Sequence, residues 1–239
     1  MFRDLVFHGK SVMGRERGEN QDRLVAATLP DAALLAVADG MGGPEGGGLA
    51  SEEAVLFLTS RIEGMINDPR ALGQLLRDAG DDISAMASKT NLPGMGTTLT
   101  VAVLAHRRAV WAHAGDSRLY LLRAGKLDQI STDHRFIQDL IDSGDVPLEE
   151  VKRHPLRNVL DQCLGCPGLA PDCGAFALRF GDLVILTSDG VHDHVDSETL
   201  RDLLRADSDL SEIADSLIAS ALSAGSCDDL SVVLCRVAG

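Results

Sequence analysis

Short apolar, β-branched or alternating runs recur at Leu34–Ala38, Leu99–Leu104, Ala109–Ala114, Arg118–Leu122, Leu183–Thr187 and Leu230–Val237, and each has the length and residue types of a strand. Elsewhere the apolar period lengthens to that of a helix. Val55, Leu58, Ile62 and Met65 share one face of a helix predicted to begin after a glycine-rich stretch, and a second helix is predicted over Arg70–Ser88. Leu200, Leu203 and Leu204 mark a third; Leu210, Ile213, Leu217 and Ala221 mark a fourth, which Asp209 and Glu212 would open as an Asp-x-x-Glu cap. The helices come in pairs separated by clusters of strands, so strict β-α-β alternation fails and a doubly wound parallel sheet is disfavoured. The pattern predicts an α+β fold: a four-layer αββα sandwich of two antiparallel sheets flanked by helix pairs. No Pro/Gly/Ser linker, low-complexity tract or internal repeat interrupts it, so residues 1–239 read as one domain.

Charge narrows the partners. With 22 Lys+Arg against 36 Asp+Glu the formal net charge is −14, and no stretch gathers the basic residues with which a nucleic-acid or anionic-membrane surface neutralises phosphates. A chain of 239 residues buries enough surface to need neither a metal nor a disulfide to hold its core, so a metal site here is expected to serve function. The start, MFRDLVFHGKSV, has no apolar signal region, and no apolar run approaches the ~18 residues of a membrane helix; the expected location is the cytoplasm. The five cysteines, Cys163, Cys166, Cys173, Cys227 and Cys235, are odd in number and read as reduced thiols. Cys163-Leu-Gly-Cys166 looks like half a zinc knuckle or a redox pair, but no second Cys/His pair stands at ligand spacing.

The chemistry is written in acids. An apolar strand ends in Asp-Gly twice, in Leu34-Leu-Ala-Val-Ala-Asp39-Gly40 and in Leu183-Val-Ile-Leu-Thr-Ser-Asp189-Gly190, and a third acid, Asp228, stands just before the last strand. Asp-Gly is also a hairpin-turn dipeptide. A tight hairpin would lead straight into another strand, whereas Asp39 is followed by Gly40-Met-Gly-Gly-Pro-Glu-Gly-Gly-Gly48 and then a helix. Neither the dinucleotide Gly-x-Gly-x-x-Gly pattern, nor Gly-Lys-Ser/Thr, nor the Gly-x-Ser-x-Gly elbow is met. What remains is backbone approaching something small at the end of an acid-tipped strand. Carboxylates and carbonyls are hard oxygen ligands suited to Mg²⁺ or Mn²⁺ and poorly suited to zinc. Two such ions lower the pKa of a shared water and offset the charge of a phosphate attacked in line. Arginine supplies the bidentate fork for phosphate oxygens, and Arg15 and Arg17 are the candidates.

Together these segments resemble the metal-dependent protein phosphatases, the type 2C Ser/Thr family, in its short bacterial branch. The matching segments are Gly14-Arg-Glu-Arg17-Gly-Glu-Asn-Gln-Asp22, Val37-Ala-Asp39-Gly-Met-Gly-Gly43, Gly94-Met-Gly-Thr-Thr98, Ala114-Gly-Asp116-Ser-Arg118, Thr132-Asp-His134, His154-Pro-Leu-Arg157, Ser188-Asp189-Gly190 and Asp228-Asp-Leu-Ser231. They run in the family's order along essentially the whole chain.

The resemblance implies hydrolysis of phosphoserine and phosphothreonine in proteins, with two Mn²⁺ or Mg²⁺ ions and a weaker third. It implies that Asp39 bridges the two metals, that the Gly40 carbonyl ligates the second, that Asp189 and Asp228 complete the coordination of the first metal, and that Asp22 lies near the second. Arg17 would bind phosphate. Asp116 and Asp193 would hold the third ion, and residues 136–157 would form a flap beside the cleft. A Ser/Thr kinase is the implied counterpart. A non-catalytic module on the same fold would be expected to lose the metal acids, which are present; a two-metal phosphatase of small phosphate esters is the other alternative. Three positions depart from the family: Met41 replaces the histidine proposed as general acid in animal members, Gln21 a more usual Glu, and Asp229 a common Asn. The extra carboxylate of Asp229 leaves open stronger metal binding or a disturbed hydrogen bond. His134, His154, His192 and His194 read as polar contacts, surface groups or flap residues rather than metal ligands, and Trp111 and Thr97-Thr98 as core and strand contacts.

Overall fold

The computed structural model describes residues 4–63, 67–105, 107–137, 143–144, 147, 154–156 and 158–238. Its strands are β1 (Asp4–Val12), β2 (Asp22–Leu29), β3 (Ala32–Met41), β4 (Gly96–Thr97), β5 (Leu99–Ala105), β6 (Arg108–Ala114), β7 (Arg118–Arg123), β8 (Lys126–Gln129), β9 (Asp172–Ala177), β10 (Leu183–Thr187) and β11 (Leu230–Ala238). Its helices are α1 (Gly43–Arg61), α2 (Pro69–Thr90), α3 (Asp189–His192), α4 (Ser197–Leu204) and α5 (Leu210–Ser223).

Two antiparallel sheets result, ordered β1-β11-β10-β7-β8 and β2-β3-β5-β6-β9, with the two-residue β4 pairing the end of β3. The period-2 alternation of side chains explains why both lie buried. Along β3, Ala33, Leu35 and Val37 enter the layer between the sheets, while Leu34, Ala36 and Ala38 face the layer under α1 and α2. On β10 and β11, Val184, Leu186, Val233 and Cys235 face the other sheet; Ile185, Val232 and Leu234 pack with Ile213 and Leu217 of α5. Three apolar layers between four structural layers are the αββα sandwich that the patterning predicts.

Several local expectations change. Helix α1 starts at Gly43, inside the glycine-rich stretch, because Gly47 packs on the end of β3: a Cβ on Gly40 would lie 2.1 Å from the Gly47 carbonyl oxygen. Gly42, the N-cap, has φ 115°, a left-handed conformation that favours glycine. Asp209 stands at the N-cap of α5 without a side-chain cap bond, whereas Asp196 caps α4 by accepting from the Glu198 and Thr199 N–H groups. Met65 and most of the expected flap, including Arg157, lie outside the described residues. The cysteine expectation is corrected. The Cys166 N–H donates to the Cys163 carbonyl at 3.1 Å, and this turn brings the two Cα atoms to 5.2 Å, where the sulfurs are joined as a disulfide; Cys173, Cys227 and Cys235 are free.

Candidate active site

Strand register brings the acids to one end of the sandwich. Thr187 at the end of β10 pairs with Arg118 on one side and Val232 on the other, so the turns holding Asp116, Asp189 and Asp228 cluster at the same edge. In the other sheet Asp22 pairs directly with Asp39. The Thr97-Thr98 pair clamps Asp39. Its N–H donates to Thr98 Oγ1 at 2.9 Å, and its carbonyl accepts from Thr97 Oγ1 and from the Thr98 N–H, both at 2.9 Å. Those two threonines are therefore positioning groups as well as strand residues.

A cavity of about 680 Å³ opens there, and Arg17, Asp39, Gly40, Asp116, Asp189 and Asp228 line it. Arg17, not Arg15, reaches the wall; it forms an ion pair with Asp228. Asp22 lies behind, 3% exposed, with Oδ2 accepting from the Ser188 hydroxyl at 2.7 Å. Asp193 follows α3, and its N–H donates to the Asp189 carbonyl at 3.0 Å; its carboxylate meets Arg135. Asp229 is engaged within the fold. Its carboxylate accepts from the Gly14 and Gln21 N–H groups, both at 2.8 Å, and so ties the loop carrying Arg17 to the start of β11. Of the histidines, His134 Nδ1 accepts from the Gly115 N–H at 3.2 Å, and buried His192 shares a 2.8 Å hydrogen bond with the Thr187 hydroxyl.

The electrostatics calls for cations. Burial first, and then Asp22, Asp189, Asp116 and Asp228, hold the Asp39 carboxyl well above the ordinary carboxylate range. Burial and then Asp116, Asp228 and Asp193 do the same to Asp189, with Arg135 opposing. Asp22 is pushed up to about 7, chiefly by burial, against the pull of the Ser231 and Ser188 hydroxyls. Asp22 Oδ1 and Asp189 Oδ1 are buried without a hydrogen-bond partner. Buried anions of one sign with orphaned oxygens are the mark of a site built for an external positive charge, and an all-oxygen donor set suits Mg²⁺ or Mn²⁺. Among the described residues no three acids, histidines or cysteines already surround one point as ligands; the carboxylates ring the cavity while two guanidinium groups lean on them.

The model of the protein phosphatase 2C family matches residues 14–224, and the chain belongs to that family. It is 31% identical over 230 residues to protein phosphatase PhpP of Streptococcus pneumoniae, covering 93% of each chain. The crystal structure of the Mycobacterium tuberculosis serine/threonine phosphatase PstP superposes with a TM-score of 0.88 at 35% identity, covering 98% of this chain and 99% of that one. The catalytic domain of PstP in complex with two manganese ions superposes with a TM-score of 0.86 at 35% identity, over 98% of this chain and 99% of that one. No helix among the described residues is long and apolar enough to cross a membrane.

Proposed function

We propose that this chain is a Mn²⁺- or Mg²⁺-dependent Ser/Thr protein phosphatase acting on phosphoserine and phosphothreonine, with 1–239 as its catalytic domain and the reversal of a Ser/Thr kinase as its task. The observation that carries the reading is the meeting of Asp39, Asp116, Asp189, Asp228 and Arg17 in one cavity, with buried carboxylates short of positive charge. In this reading Asp39, the Gly40 carbonyl, Asp189 and Asp228 would hold two ions, with Asp22 supporting them from behind. When bound, the two ions supply the Lewis acidity that makes water a nucleophile at neutral pH and offsets phosphate charge.

The chain's own residues do the rest. Arg17 offers its planar fork to the phosphate oxygens, and Asp229 holds the loop that aims it. The Thr97-Thr98 clamp fixes the main chain of Asp39, so the carboxylate is held before substrate arrives. Met41 lines the cavity and has no proton to give, so the leaving alkoxide takes its proton from solvent or another group. The net charge of −14 disfavours strongly acidic phosphoproteins except where Arg17 and the ions act locally.

Release of inorganic phosphate from phosphothreonine peptides tests the reading. It should require Mn²⁺ or Mg²⁺, stop on adding EDTA, and show a higher kcat/KM than sugar phosphates or nucleotides. Undiminished turnover in EDTA, or preference for the small esters, would overturn it.

A further inference from the structure

The resemblance assigns Asp116 and Asp193 to a weaker third divalent ion, but in this chain something else stands between them. Arg135 donates from Nε to Asp116 Oδ2 at 2.8 Å and from Nη2 to Asp193 Oδ2 at 2.9 Å. Its side chain is only 13% exposed. The segment that carries it is pinned on both sides: Arg135 bridges to Leu160, the Phe136 N–H donates to the Val159 carbonyl at 2.8 Å, and the His134 N–H donates to the Gly115 carbonyl at 2.7 Å. A guanidinium cannot lose its proton in a protein. It also occupies one oxygen of each carboxylate that a metal would need, and sets a like charge against any incoming cation.

We propose that Arg135 is the resident cation of this position, so that the chain binds two exchangeable divalent ions and the Asp116–Asp193 pair is closed to a third. The inference rests on the two-ion reading above. It deepens that reading by making part of the acid cluster independent of metal supply: Arg135 holds Asp193 whether or not divalent ions are present.

Counting bound Mn²⁺ by calorimetry and by electron paramagnetic resonance tests it. Wild type should take up two ions and no third into the millimolar range. Arg135→Ser, or Arg135→Gln should the serine variant not fold in circular dichroism, should gain a third, weak ion that disappears on adding Asp193→Asn. The melting temperature of the Arg135 variant should go on rising with Mn²⁺ after that of wild type has levelled off, whereas Arg135→Lys, which keeps the charge, should bind two. A third ion on wild type that Asp193→Asn removes would overturn the proposal, as would a folded Arg135→Ser or Arg135→Gln protein that binds only two. A wild-type count below two overturns the two-ion reading itself, and this inference with it.

Discussion

The aspartates at this end of the sandwich fall into two groups that differ in their cationic partners. Asp116 and Asp193 share the guanidinium of Arg135, whereas among the described residues no Lys or Arg pairs with Asp22, Asp39 or Asp189, two of which keep an orphaned buried oxygen. A buried carboxylate with an arginine built against it is complete within the fold; one without is complete only when an external cation arrives. In the reading proposed above, the difference separates the acids that share a cation within the fold from those that would hold a cofactor.

The largest break in that comparison should come from Asp39→Asn. Removing one of the crowded charges should lower phosphopeptide turnover roughly 1000-fold, or ~4 kcal/mol of transition-state stabilisation, and in EDTA it should raise the melting temperature by relieving repulsion. Wild-type turnover of this variant in saturating Mn²⁺ would contradict the assignment.

The pH dependence comes next. Asp22 has a folded-state pKa of about 7 against 3.8 as its ordinary value, so between those values the folded, metal-free protein binds more protons than the unfolded chain. Stability in EDTA should therefore fall as pH rises through that window, by a few kcal/mol in all, and Mn²⁺ should flatten the slope. His113, lowered to about 4 chiefly by burial and then by His134, works in the opposite direction. It costs stability as pH falls from 6.5 towards 4, and Mn²⁺ should leave that limb unchanged. Urea titrations across pH with and without metal separate the two.

Asp229→Ala should destabilise by about 3 kcal/mol, since two buried backbone N–H groups lose their acceptor, and should weaken phosphate binding through the loosened Arg17 loop. Denaturant midpoints and KM measure the two effects. Arg17→Ala should have the smallest effect on the fold, under about 1 kcal/mol, because its ion pair with Asp228 is partly solvated. Its kcat/KM should still drop roughly 30-fold, about 2 kcal/mol. Equal losses of stability in these two variants would erase the distinction between the residue that holds the loop and the residue that the loop presents.

Legibility in the sequence followed burial. Strands β3, β5, β6, β7, β10 and β11 are covered on both faces, so their runs are apolar enough to read directly. Strands β1 and β9 lie at sheet edges and mix Lys10, His8 or Asp172 with apolar residues, which blurs the alternation; β8 is four residues long and β4 two. The Asp-Gly strand ends pointed to Asp39 and Asp189 because an acid at the end of a core strand is a local anomaly. The work of Thr97, Thr98, Asp229 and Arg135 carries no such local mark. Asp229 acts on Gly14, 215 positions away, and Arg135 on Asp193, 58 positions away, so each role exists only once segments distant in the chain have folded together. The glycines misled for a related reason: they read as a loop, yet they allow a helix to approach β3.

Anomalous diffraction at the manganese edge, from crystals grown with Mn²⁺, tests the central claim most directly. The account predicts two peaks inside the cavity, with the Asp39 carboxylate in contact with both and with Asp189 and Asp228 around one of them. Peaks that avoid Asp39, or a cavity with no manganese in it at saturating metal, would contradict it.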